Sequence, residues 1–188
     1  MLTLVTSNPG KYAPFARDLE RLRLVLEPPR QPLAELQSLS FPEALAQKAR
    51  AAAAMFGRPV LVDDAGLVLE AYGQFPGPLT STVLGSLGAA GVQRLLSGTS
   101  SRASMECHLG IWLNATLRSW QGTVSGCIDS TRSVSDGRML LSDLFVPDAS
   151  AQSGRLLVIQ LPDDRPGQRI ALPTTPGGLV CQQAPHVR

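Results

Sequence analysis

The chain has 188 residues, the size of one domain, and its 44% hydrophobic content against 17% charged residues is enough to close a core. A formal charge of +2 with dispersed arginines argues against a nucleic-acid surface, and no apolar run is long enough to span a membrane. The N-terminus lacks a charged region followed by an apolar stretch, so a cytosolic location is the expectation. Cys107, Cys127 and Cys181 are odd in number and widely spaced, which fits neither a disulfide framework nor a zinc site.

Leu2 to Val5 read as a short buried strand. Thr6-Ser7-Asn8-Pro9-Gly10-Lys11 follow, a polar turn that opens a helix predicted over residues 11–22, with Phe15, Leu19 and Leu22 at roughly helical spacing. A turn of this kind suits phosphate, because backbone N–H groups and the helix N-terminus point at the anion. Lys11, one of two lysines among 17 basic residues, adds a compact ammonium. Residues 24–26 are a candidate strand before Pro28-Pro29. Ser40-Phe41-Pro42-Glu43 offers an N-cap, an early proline and a third-position glutamate, so a helix is predicted from Ser40 to Phe56, ended by Gly57.

Residues 59–62 read as a buried strand with Asp63-Asp64-Ala65-Gly66 at its carboxyl end and Leu67-Val68-Leu69 continuing. Strand, helix, strand in this order predicts an α/β fold whose ligands gather beyond the carboxyl ends of strands. Residues 73–88 read as a loop, and 87–96 as a helix. The runs 107–113 and 117–128 flank Asn114-Ala115 as an antiparallel hairpin, and 155–161 is a further candidate strand. The proline- and glycine-rich tail from residue 162 carries no assignable pattern.

Adjacent residues on an extended chain point in opposite directions, so one carboxylate of Asp63 and Asp64 can face a cleft while the other faces a metal or the flank. Such hard oxygen ligands suit Mg²⁺, which uses one or two carboxylates plus substrate phosphates. A remaining carboxylate can accept a proton from water attacking phosphorus. The competing reading is a turn whose side chains bond local backbone. Glu43 is either a capping-box residue or a second metal carboxylate, and Lys48 is either a solvated lysine or a phosphate contact. His108 and His186 read as structural, and Trp112 and Trp120 as core.

In combination, these motifs resemble the inosine triphosphate pyrophosphatase family, which hydrolyses non-standard purine nucleoside triphosphates to monophosphate and pyrophosphate. The family's Thr-x-Asn-x-x-Lys is matched by Thr6, Asn8 and Lys11. Its Phe-x-Glu-Asn-Ala with a following Lys-Ala resembles Phe41 to Ala49, its Asp-Asp-Ser-Gly-Leu resembles Asp63 to Leu67, and its Gly-x-x-Pro-Gly resembles Gly73 to Gly77. The resemblance implies an α/β, elongated, two-lobed fold with a central bent mixed sheet flanked by helices, usually a homodimer. It implies that Thr6, Ser7, Asn8 and Lys11 hold the triphosphate, with Lys48, Ala65 and Gly66 beside it. Glu43, Asp63 and Asp64 would serve Mg²⁺, and Asp64, with Lys11, would carry the catalysis by directing or deprotonating the attacking water.

The second half departs from the pattern. Pro78 to Val83 stand where the family has a Tyr-Ser-Ala-Arg-Tyr-like segment, and Gly137 to Leu144 replace a base-holding Gly-Phe-Gly-Tyr-Asp-Pro, with Asp143 as a candidate counterpart. The final Ser-His-Arg is missing; His186 and Arg188 stand in another pattern. A pocket that specifies by hydrogen bonds discriminates only while its donors are present, so the expectation is changed base specificity on intact phosphate chemistry. A non-catalytic nucleotide-binding protein on the same fold is the alternative, and a Maf-type pyrophosphatase a more distant one.

Overall fold

The computed structural model describes residues 2–6, 33, 36–88, 90–129 and 144–148 in full, and 25–27, 89, 157–160, 169–172 and 181–183 through their backbone. The helix expected over 11–22, the Pro28-Pro29 breaker, residues 137–143 and His186 lie outside the described residues. The elements are β1 (Thr3–Val5), β2 (Val25–Glu27), α1 (Phe41–Phe56), β3 (Val60–Leu69), a 3₁₀ turn (Glu70–Tyr72), β4 (Pro76–Gly77) and α2 (Thr80–Leu96). They are followed by β5 (Arg102–Leu113), β6 (Thr116–Ile128), β7 (Phe145–Pro147), β8 (Leu157–Gln160), β9 (Arg169–Leu172) and β10 (Cys181–Gln183).

The result is a mixed α/β fold around an eight-stranded mixed sheet, ordered β10-β6-β5-β3-β1-β2, with β4 on β3 and β7 on β6. β1 pairs in parallel with β2 and β3, while β3, β5 and β6 run antiparallel to one another. The hairpin is longer than its apolar runs suggest, because β5 begins at Arg102, but its turn is the expected one: Asn114 and Ala115 have φ of 50° and 59°. At its far end the exposed Arg102 guanidinium donates to both Asp148 oxygens at 2.8 and 2.9 Å, and this hydrogen bonding holds the Asp148 carboxyl below its ordinary value.

The pleat assigns the two faces. Val60 and Val62 of β3 point toward α1 and pack with Leu45, Ala49 and Ala52 beneath Val5, all fully buried. Gly110 of β5 lies under this helix; a Cβ there would come within 3.1 Å of the Leu45 side chain. Leu67 and Leu69 point the other way and join Leu84, Val92 and Leu96 of α2 with Ala103, Val124, Ile128 and Phe145. Cores on both faces make β3 the centre of the molecule, so most of its positions are apolar.

Three expectations change. Asp63-Asp64-Ala65-Gly66 is not a turn: β3 runs through it to Leu69, held by uninterrupted pairing to β5 from Val60↔Trp112 to Leu69↔Ala103. The loop expected over 73–88 is already helical from Thr80, and the non-helical backbone of Gly88 kinks α2 where the helix was expected to begin. The unassigned tail contributes β9, which pairs with β8, and β10, which pairs with β6.

Candidate active site

Parallel pairing of β1 with β3 ends at Val5↔Val62, whereas pairing of β3 with β5 continues. Asp63 is therefore the first residue of β3 beyond its β1 neighbour, where a sheet opens to ligands. Thr6 follows β1 level with Asp63, and both are buried, at 1% and 2% exposure. Ser7, Asn8 and Lys11, the rest of the expected phosphate turn, lie outside the described residues.

By the same pleat that places Val60 and Val62, Asp64 faces α1 and Asp63 faces away from it. The sequence expectation of opposed carboxylates thus holds on a continuous strand. Asp64 forms part of a cleft between α1 and the segment entering α2, walled by Leu36, Ala44, Gln47, Lys48, Pro78 and Thr82. Lys48 Nζ donates to the Asp63 carbonyl oxygen at 2.7 Å, and the Ala65 N–H donates to Asp64 Oδ1 at 3.1 Å. Lys48 is consequently anchored on the strand that carries the aspartates, and is no solvated lysine.

Glu43 serves the start of α1. Ser40 caps the helix, and its Oγ accepts from the Glu43 N–H at 3.4 Å. The capping box closes through a relay: the Ser40 N–H donates to Ser38 Oγ at 3.0 Å, and the Ser38 hydroxyl donates to Glu43 Oε2 at 2.8 Å. Glu43 is exposed and stands one turn before Gln47 on the same helix face. Among the described residues no three His, Cys, Asp or Glu side chains gather as a metal cage.

Gly66 is required by packing, since a Cβ there would lie 2.1 Å from the Gly77 carbonyl oxygen. Thr80 locks this approach: its buried hydroxyl donates to Gly77 O at 2.6 Å and accepts from the Leu67 N–H at 2.7 Å. The result presents Pro78, Leu79 and Thr82 to the cleft. Sequence reasoning passed over one further residue. Gln47 lines the cleft, and only its place one residue before Lys48 could have signalled it. His108, directly across from Asp64 in the β3–β5 register, is 5% exposed, holds Glu106 Oε2 at 3.0 Å and stacks on Phe41 with centroids 4.4 Å apart. That is the satisfied structural histidine expected, but placed beside the site.

The Ham1 family model matches residues 2–153, and the chain belongs to this family. That membership makes it a hydrolase of the nucleoside triphosphate pyrophosphatase class. Curated relatives include the dITP/XTP pyrophosphatases of Hyperthermus butylicus, 29% identical over 81% of this chain and 80% of the relative, and Pyrobaculum aerophilum, 32% identical over 68% of each. The dITP/XTP pyrophosphatase of Methanopyrus kandleri is 39% identical over 52% of each chain, so that match spans about half of the relative's length. Among solved structures, a nucleoside-triphosphatase / dITP/XTP pyrophosphatase from Mycobacterium abscessus shares the fold with a TM-score of 0.65 at 22% identity, covering 79% of this chain and 83% of that one. No helix among the described residues is long and apolar enough to cross a membrane.

Proposed function

We propose that the protein hydrolyses a purine or modified-purine nucleoside triphosphate to monophosphate and pyrophosphate, in the cytoplasm and as a homodimer, with a base preference that departs from its relatives. The observation that carries this reading is the cleft that Asp64 and the anchored Lys48 both line. A base beside a fixed cation is the pairing that water attack on a phosphoanhydride needs, and Lys48 offsets charge on the phosphate oxygens. Thr6, Ser7, Asn8 and Lys11 would hold the remaining phosphates at the end of β1, with Ala65 and Gly66 shaping the strand beside them.

The α1 face of the site suits Mg²⁺. Glu43 and Asp64 are its proposed ligands, two hard carboxylates completed by substrate oxygens, as the ion uses; Asp63, which the resemblance also implied, points to the other face of β3 and stands outside this set. Bound there, it would supply further charge neutralisation of the triphosphate. Asp64 would take the proton of the attacking water, while Glu43 couples the site to the capped start of α1.

Altered specificity is supported by the cleft wall, where Pro78, Leu79 and Thr82 bring no aromatic ring and no guanidinium. The test is pyrophosphate release from a panel of standard, deaminated and modified triphosphates, dITP and XTP included, with Mg²⁺. Turnover with a ranking unlike dITP and XTP is expected; no release from any triphosphate would refute the proposal, and saturable binding without turnover in calorimetry would establish the non-catalytic alternative.

A further inference from the structure

The Gln47 side chain lines the cleft beside Lys48 and Asp64, and among the described residues its buried Oε1 accepts no hydrogen bond. A buried amide oxygen without a donor gives up its hydration and gains nothing in return, so native chains carry few and each calls for an explanation. The fold supplies none, because leucine or methionine would propagate the helix as well and fill the same place. The side chain's place on the cleft wall supplies one. Phosphate oxygens only accept hydrogen bonds, so a carbonyl oxygen is the wrong partner for them, and Lys48 already offers the cation. A group that only accepts must meet a donor, and the donor that hydrolysis requires at this spot is water.

We infer that Gln47 orients the attacking water together with Asp64. A water molecule has two protons to give; one goes to the Asp64 carboxylate and the other points at Gln47 Oε1, which turns an oxygen lone pair toward phosphorus. The water oxygen then bonds to phosphorus at the α–β anhydride, the bridging P–O bond breaks with its electron pair leaving on pyrophosphate, and Asp64 holds the released proton. An amide is suited to the second position because it accepts without competing for that proton. The inference rests on the hydrolytic reading above.

Gln47→Leu separates this role from a structural one. Losing an undonated buried acceptor should leave Tm unchanged or raise it by up to about 4 °C. At the same time kcat should fall by about 100-fold, with KM and the pH dependence of turnover kept, because the amide does not titrate. Gln47→Glu retains an acceptor and should recover to within about tenfold of the unaltered protein. A rise in KM at constant kcat would place the amide on the substrate and overturn the inference, as would unchanged kinetics or a fall in Tm that accounts for the lost activity. If the unaltered protein turns over and Asp64→Asn does not, while Gln47→Leu keeps full kcat, this inference alone falls. If the unaltered protein releases no pyrophosphate, the hydrolytic reading falls as well.

Discussion

The two ends of α1 rest on the same pair of strands and are built from different chemistry. At its C-terminal end, Ala49 and Ala52 press onto Val60 and Val62, Gly57 closes the helix in a left-handed conformation at φ 62°, and Arg50 lies 5.8 Å above the Trp112 ring. At its N-terminal end, two serines and a glutamate relay hydrogen bonds at the surface, while Gln47 and Lys48 stand over Asp64. Burial runs along the whole helix, with Phe41, Ala44 and Leu45 buried toward the N-terminal end as well, but only that end also holds polar groups in position. The contrast teaches that chemistry is confined to one part of a helix packed along its length, so it can be perturbed apart from stability.

Four substitutions sharpen that division. Asp64→Asn should lower kcat by about 1,000-fold, with Tm and nucleotide binding retained, because it removes the base and leaves the packing; calorimetry beside steady-state kinetics would check it. Leu45→Ala empties a fully buried position and should cost about 2–5 kcal/mol in urea unfolding. Its residual folded fraction should keep the KM of the unaltered protein. Ser40→Ala removes the cap and should cost about 1 kcal/mol, with a secondary loss of turnover because it loosens the start of the helix that carries Gln47 and Lys48. Arg50→Ala, at the opposite end, should cost under about 1 kcal/mol and leave kcat intact. If Arg50→Ala impaired catalysis as much as Ser40→Ala, the division between the ends would be wrong.

Much of this was legible in the sequence. The hairpin announced itself through two apolar runs around Asn114-Ala115, and α1 through its serine cap, early proline and terminal glycine; each is a local signal. Asp64 and Lys48 were legible because their motifs stand in order. The extended course of Asp63 to Gly66 was not, because Asp-Asp-Ala-Gly has the composition of a turn and only the partner strand β5 holds it extended. The early start of α2 was masked by Gly85 and Gly88, and by a fold that depends on a threonine bridging residues 67 and 77. Gln47 was hidden for another reason: a glutamine on a helix carries no signal until its surroundings show that its oxygen is undonated.

The pairing of β10 with Trp120–Gly122 of β6 has a consequence for biosynthesis. The β5–β6 ribbon can form as soon as Ile128 has left the ribosome, yet this stretch of β6 waits about fifty residues for its outer neighbour. At about 5–20 residues per second that delay lasts seconds, long against hairpin closure. Through that interval the nascent ribbon shows bare amide and carbonyl groups to any other extended chain, so crowding and translation speed should govern the yield of correctly assembled protein more than its final stability does.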